Sequence, residues 1–217
     1  MTPITSDFVW RMENVLDLYE EPYDPKRPVV SLDERPCQLI DDIYTPVPPK
    51  SGRVKRYDYE YKRNGTCCLF MAFEPLSHFR YVEVRKRRTS MDYAEILKYL
   101  ADVVYPETEV IRLVQDNLNT HTPASLYKRF EPEEARRLTQ RFEFHYTPKH
   151  ASWLNMVEIE LSVLSRQCLH RRIGTQEKLT SEAMAWAKDR NAKRKGVEWC
   201  FTTKDARQKL VRFYSNN

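Results

Sequence analysis

The sequence predicts one α/β domain, a mixed sheet flanked by helices, and three observations carry that expectation. Short runs that alternate in polarity or are wholly apolar crowd the first 85 positions, as strands do. A stretch of helical periodicity then separates them from another apolar run at 109–116, and a helix between two strands implies a parallel return. From residue 123 onward helical spacing dominates.

Taken in order, Phe8 to Leu18 places apolar residues at helical spacing, and Tyr19 to Arg27, with its two prolines, reads as a linker. Arg27 to Asp33 is β-branched, apolar and ends in a carboxylate; Pro36 is expected to stop this first strand. Tyr44 to Gly52 is proline-rich loop. Tyr57 to Lys62 alternates, Asn64-Gly65 signals a type I′ turn and Thr66 to Phe73 is a buried-type strand, so the pair predicts a hairpin. Phe79 to Arg85 alternates again. Ser90 to Tyr105 opens on a serine cap and ends before Pro106, an amphipathic helix.

Glu109 to Asp116 repeats the first strand's pattern, apolar and closing on Asp. Pro123 to Arg141 is expected as a helix in two pieces around Pro132, Phe142 to Tyr146 as a short strand and Thr147 to His150 as a turn. Ser152 should cap a long helix reaching Arg171, closed by Gly174; another helix covers Gln176 to Arg194, a short strand Glu198 to Phe201, and a helix Asp205 to Tyr214.

Composition narrows the function. With 217 residues, 41% hydrophobic and 31% charged, the chain can bury a core without staples and is neither disordered nor collagen-like. Its longest uncharged apolar run, Thr66 to Phe73, falls far short of the roughly 20 residues of a membrane helix, and no signal-peptide pattern opens it. The five cysteines lack C-x-x-C spacing, so reduced thiols are expected rather than a disulfide frame or zinc knuckle, and none is paired with a motif histidine for nucleophilic chemistry. None of the four glycines falls in a phosphate-binding loop, which argues against a nucleotide cofactor. From Leu161 to Asn217 there are 13 Lys and Arg against 5 Asp and Glu, so the chain's net +5 is carried at its end. That segment and the run Arg85, Lys86, Arg87, Arg88 point to a polyanion partner, although one such cluster is as readily a solvated face.

Asp33 and Asp116 close two strands and Glu158 sits on the long helix, placing three carboxylates where open α/β sheets build their sites. Mutual repulsion in a cleft is unfavourable unless divalent cations neutralise it, and Mg²⁺ or Mn²⁺ prefers such hard oxygen ligands, so a metal pair is implied. Leu154, Val157, Leu161, Leu164 and Cys168 form a core-facing stripe with Glu158 on its border. Glu160, turned about 200° from Glu158, is expected in solvent. Taken singly, each acid is more commonly a loop cap. His121 and His145 read as hydrogen-bonded turn or core residues, His150 as the histidine best placed to touch DNA, Trp153 as a core anchor before a base-stacking group, and Tyr57, Tyr59 and Tyr61 as one strand face.

The local sequences lift the acids above that background. Val30 to Pro36 (VSLDERP), Leu113 to His121 (LVQDNLNTH) and Tyr146 to Glu160 (YTPKHASWLNMVEIE) resemble the catalytic segments of bacterial mariner-like insertion-sequence transposases of the DDE superfamily. The likeness extends through Tyr61 to Thr66, Arg87 to Ala94, Leu164 to Ile173 and Phe201 to Leu210, nearly the whole chain. It implies a ribonuclease-H-like fold in which Asp33, Asp116 and Glu158 hold two Mg²⁺ or Mn²⁺ ions, cut phosphodiesters at element ends and join the freed 3′-hydroxyl to target DNA. It also implies double-stranded DNA as partner, a homodimer, and a cytoplasmic, nucleoid-associated location.

Arg85, Lys86, Arg87, Arg88, Lys149, His150, Arg171 and Arg172 are the expected phosphate contacts. Residues 1–26 are expected as a helix and linker remnant, 27–173 as the catalytic core and 174–217 as its basic helical extension. The family's paired helix-turn-helix modules are not in this sequence, so a truncated, catalytically silent DNA-binding fragment is one alternative and another ribonuclease-H-like nuclease the second.

Overall fold

A computed structural model of the chain describes residues 5–44, 51–52 and 59–214. In chain order the elements are α1 (Ser6–Glu20), β1 (Val29–Asp42), β2 (Tyr61–Glu74), β3 (Phe79–Arg85), α2 (Ser90–Tyr99), β4 (Ile111–Gln115), α3 (Ala124–Arg129), α4 (Pro132–Gln140), β5 (Phe142–Tyr146), α5 (Val157–Gln167), α6 (Gln176–Ala192) and α7 (Thr203–Lys209). The strands form one sheet in the order β3-β2-β1-β4-β5. β1 pairs antiparallel with β2 and β2 with β3, whereas β1 with β4 and β4 with β5 are parallel, so the expected mixed sheet with a helical crossover forms. Its order follows from the chain: a short turn joins β2 to β3, a longer connection brings β2 back antiparallel beside β1, and the α2 and α3–α4 crossovers bring β4 and β5 in on the other side.

One core lies between the sheet and α1, α5, α6 and α7, and includes Met12, Leu16, Leu69, Phe73, Leu154, Val157 and Leu164. The other lies under α2, α3 and α4, and includes Val30, Leu32, Phe70, Tyr93, Ile96, Leu113 and Leu138. β2 is buried along its last eight residues, as a central strand covered on both faces must be. Residues from both termini share the first core: the Arg207 guanidinium donates to Glu13 at 2.8 and 2.9 Å, and the Phe8 and Phe213 rings meet edge to face.

Several local expectations are corrected. β1 does not stop before Pro36 but runs through it to Asp42, with Pro36 opposite Cys68. Beyond Ser31, among the described residues, no strand but β2 pairs with β1, so at Pro36 no second strand ladder depends on an N–H and its loss costs little. Asn64-Gly65 is not a hairpin turn; both residues lie inside β2 as a bulge, opposite the single step from Gln38 to Ile40. The positive φ that the pair signals is real, 99° at Gly65, but the bulge uses it. The hairpin partner of Thr66 to Phe73 is β3, through a turn at 75–78; of the expected strand Tyr57 to Lys62, Tyr61 and Lys62 open β2 itself and residues 57–58 lie outside the described residues, as does most of the Tyr44 to Gly52 loop.

α2 is capped by Thr89 rather than Ser90: its hydroxyl accepts from Asp92 N and the Asp92 carboxylate accepts from Thr89 N. Replacing Thr89 by Ala is expected to cost about 1 kcal/mol in chemical denaturation, because two first-turn donors depend on that box. Ser152 likewise opens only a 3-10 turn, Ser152–Leu154, and α5 begins at Val157 and ends at Gln167, shorter than expected at both ends. Glu198 to Phe201 joins no sheet among the described residues.

Candidate active site

β1 and β4 part where their parallel pairing ends, at Ser31 opposite Val114. Asp33 lies two residues beyond that point on β1, and Asp116 follows Gln115, the last residue of β4. The start of α5 closes the opening. It is fixed there by Tyr19, whose hydroxyl donates to Leu154 O at 2.8 Å, and by Asn155, whose Nδ2 donates to Leu32 O at 3.2 Å and to Asp33 Oδ2 at 3.3 Å. Asp33 Oδ1 accepts from the Glu34 amide at 2.7 Å. Glu158 lies in the first turn of α5, exposed, in a cleft of about 240 Å³ shared with Glu34, Arg35, Ser162 and Arg166. The sequence therefore brings its three acids to one end of the sheet, by the divergence of two strands and by one helix start.

Asp33 feels the charges of the other two acids. Burial is the main cause that raises the Asp33 carboxyl to about 7, and the neighbouring Glu158, Asp116 and Glu34 charges add to it against the Glu34 amide. Asp116 Oδ1 accepts from Leu118 N at 3.3 Å and contacts His121 Nδ1. His121 is buried, as expected of a turn histidine; burial opposes its charging, but Asp116 and Glu34 prevail and raise it to about 9.

Among the described residues no three His, Cys, Asp or Glu side chains converge closely enough to hold one ion. Asp33 is turned onto Asn155 and the Glu34 amide, and Asp116 onto His121. The donor set nevertheless fits a divalent cation: it is all carboxylate oxygen, and the repulsion that helps hold Asp33 protonated is what such a cation relieves.

Glu160 overturns the expectation made for it. It is fully buried, 3.0 Å from Arg80 Nε on β3, and accepts from Arg190 on α6 at 2.7 and 3.1 Å. Helical phase did separate it from Glu158, but the far side of α5 faces α6 and the sheet rather than water. The signal sequence reasoning missed was the pair of arginines, Arg80 inside an alternating strand and Arg190 on a helix, available to neutralise a buried acid.

The expected phosphate contacts divide. Arg85 is largely covered and bonded to Glu83 at 2.7 Å and Glu95 at 2.5 Å, and Arg172 donates to Asp42 at 2.7 Å and Glu60 O at 2.8 Å. Arg88 reaches Glu34 at 3.4 Å and Arg171 pairs with Glu182. Lys86, Arg87, Lys149 and His150 are exposed, His150 in the expected turn with φ 65°. Arg171 and Arg172 line a groove of about 370 Å³ with Arg35 along the outer half of β1.

His145 is a structural residue, bonded to Asn14 at 2.8 Å and Glu143 at 3.0 Å. Trp153 is 42% exposed and stacks on Trp199, edge to face with Phe201, so it anchors the C-terminal segment while keeping one side open. All five cysteines are free, and burial raises the thiols of Cys37, Cys67, Cys68 and Cys168, which suits inert core residues.

A 3-2-1-4-5 sheet of this sense, with acids where its first and fourth strands separate, defines a ribonuclease-H-like domain. The chain belongs to the DDE superfamily endonucleases, whose family profile matches residues 28–180. Among solved structures it is similar to a pre-cleavage Mos1 transpososome, at TM-score 0.59 and 13% identity, covering 96% of this chain and 63% of that one. It is similar also to the Mos1 mariner paired-end complex with Mn, at 0.57 and 14%, covering 88% and 59%, and to the Mos1 strand transfer complex, at 0.57 and 15%, covering 85% and 55%. The chain thus spans less than two thirds of the length of those Mos1 chains. No curated protein sequence matches it.

Proposed function

We propose that this domain is the catalytic core of a DDE transposase, which cleaves phosphodiesters at the ends of a DNA element and joins the freed 3′-hydroxyl to target DNA. The observation that carries the reading is the gathering of Asp33, Asp116 and Glu158 at one end of the sheet, near enough for the Asp33 carboxyl to feel the other two charges. Membership of an endonuclease family and likeness to transposase complexes with DNA ends support it. Asp33, Asp116 and Glu158 would hold two Mg²⁺ or Mn²⁺ ions, which when bound supply an activated attacking oxygen and charge relief at the leaving one.

The chain's own contribution is placement and charge. Asn155 and the Glu34 amide aim Asp33, and the Tyr19 anchor sets the start of α5 and so the reach of Glu158. Lys86, Arg87, Lys149 and His150 are exposed and free to grip phosphates of double-stranded DNA, and Arg88 and Arg171 would join them on leaving Glu34 and Glu182. Bringing two element ends together calls for a homodimer, and the substrate places the protein on the nucleoid in the cytoplasm.

The test is joining rather than cutting. A labelled duplex ending in a free 3′-hydroxyl, incubated with the protein, Mn²⁺ and a supercoiled plasmid, is expected to yield covalent joint molecules. Nicked plasmid without joints would mark a nuclease, and DNA binding with no product in any metal would mark a silent fragment.

A further inference from the structure

Asp33 and Glu34 are consecutive on β1, so their side chains leave the strand on opposite faces. Asp33 meets α5 on one face. Glu34 enters the other, where its side chain is only 3% exposed and lies 2.9 Å from His121 Nε2, close enough for an ion pair but without the alignment of a hydrogen bond. The opposite ring nitrogen, Nδ1, contacts Asp116 Oδ1.

The imidazole is confined in its plane too. Tyr93 lies against it with ring centroids 4.8 Å apart, the Tyr93 hydroxyl donates to Gln115 Oε1 at 2.7 Å, and Gln115 Nε2 donates back to His121 O at 2.8 Å. Ring, backbone and both nitrogens are thus fixed by β1, α2 and the last residue of β4. Glu34 also accepts from Arg88 at 3.4 Å through Oε1, so its carboxylate is held between Arg88 and the imidazole and fixes the ring from behind.

Among the described residues, both hydrogen bonds to the Asp116 carboxylate fall on Oδ1, from Leu118 N and His121. Oδ2 accepts none among the described residues, and it is the oxygen left for another ligand. We propose that Glu34 and His121 are positioning residues of the catalytic centre: braced by Glu34 and Tyr93, His121 holds Asp116 by one oxygen and presents the other to a divalent cation. The arrangement is that of ligating carboxylates elsewhere, whose outer partners fix their orientation and tune affinity. It rests on the reading of Asp116 as a metal ligand.

The experiment titrates Mn²⁺ into the chain and follows its thermal midpoint, for wild type, Asp116→Ala, His121→Phe and Glu34→Gln. Phe keeps a ring against Tyr93 and loses both polar contacts; Gln keeps the volume and loses the charge. Wild type is expected to gain stability with Mn²⁺ and Asp116→Ala to gain little or none. His121→Phe is expected to need about tenfold more Mn²⁺ for half the shift, and Glu34→Gln a smaller increase in the same direction. In Mn²⁺-dependent nicking, both variants should approach the wild-type rate at saturating metal, which a merely structural lesion would not allow. A half-shift concentration within twofold of wild type in His121→Phe, or in Glu34→Gln should the first not fold, overturns the positioning role while leaving Asp116 as a ligand. Wild type unmoved by Mn²⁺ would overturn the metal reading, and this proposal with it.

Discussion

Asp33→Asn is expected to make the metal-free domain more stable and the enzyme inactive. The Asp33 carboxyl is held near 7 by burial and by the acids around it, so between about pH 4 and pH 7 the folded chain carries a proton there that the unfolded chain has lost. Unfolding then releases a proton, so the Asp33 contribution to the stability of the metal-free wild type falls as pH rises through that window and levels off above it, while His121, raised to about 9, adds a further fall at higher pH that the Asn variant shares. Asn carries no charge to desolvate. At pH 8 the variant should gain about 2 kcal/mol, roughly half of what the full shift converts to, because the carboxyl is not wholly buried. In thermal unfolding that corresponds to a rise of about 4–8 °C for a chain of this size. Its nicking activity should fall at least about a thousandfold, as loss of one member of a catalytic set does. A stability curve flat from pH 4 to 8 in the wild type would show that Asp33 is not held in a repulsive cluster.

Glu160→Ala, two residues from Glu158, should have the opposite profile. Removing that carboxylate leaves the buried Arg80 and Arg190 guanidinium groups without their counter-charge, and unpaired buried charge typically costs about 3–5 kcal/mol. The melting temperature should drop by on the order of 10 °C. Glu158→Ala, at an exposed position, should stay within about 0.5 kcal/mol of wild type while abolishing cleavage. Arg80 and Arg190 also lie over the Trp186 ring, so the network joins β3, α5 and α6. Substituting all three charged members together by apolar residues of similar volume should recover most of the lost stability. Equal melting temperatures for the Glu160 and Glu158 variants would refute this division of labour.

These two neighbours show where the sequence could and could not be read. Most strand and helix types followed from periodicity, whereas Asp33, Asp116 and Glu158, each an ordinary acid taken singly, were singled out by the segments around them. The parallel return of the fourth strand followed from the helix before it; the order of the five strands did not. What periodicity does not carry is identity of neighbours. Helical phase put Glu160 opposite Glu158, yet whether that side meets water or α6 depends on a helix that starts at residue 176.

The same holds for Asn64-Gly65, whose positive-φ signal suits a turn and a bulge equally, and for Pro36, which is tolerated because, among the described residues, no second strand pairs with β1 there. Glu34 is invisible in sequence as a site residue, since its partner His121 lies 87 positions away and its own neighbour is the more conspicuous acid. Capping is a different miss: Thr89 and Ser90 are adjacent, and only the Asp92 side chain decides between them.

Nicking of a labelled duplex in saturating Mn²⁺ by Asp33→Asn, Asp116→Asn and Glu158→Gln, each alone and in pairs, tests whether the three acids form one centre. Residues that act as a unit are non-additive, so each single change should lower the rate by at least about a thousandfold and each pair no further than the singles. A single variant that nicks within tenfold of wild type, or pairs whose losses multiply, would contradict a common metal-dependent site where β1 leaves β4, at the end of β4 and at the start of α5.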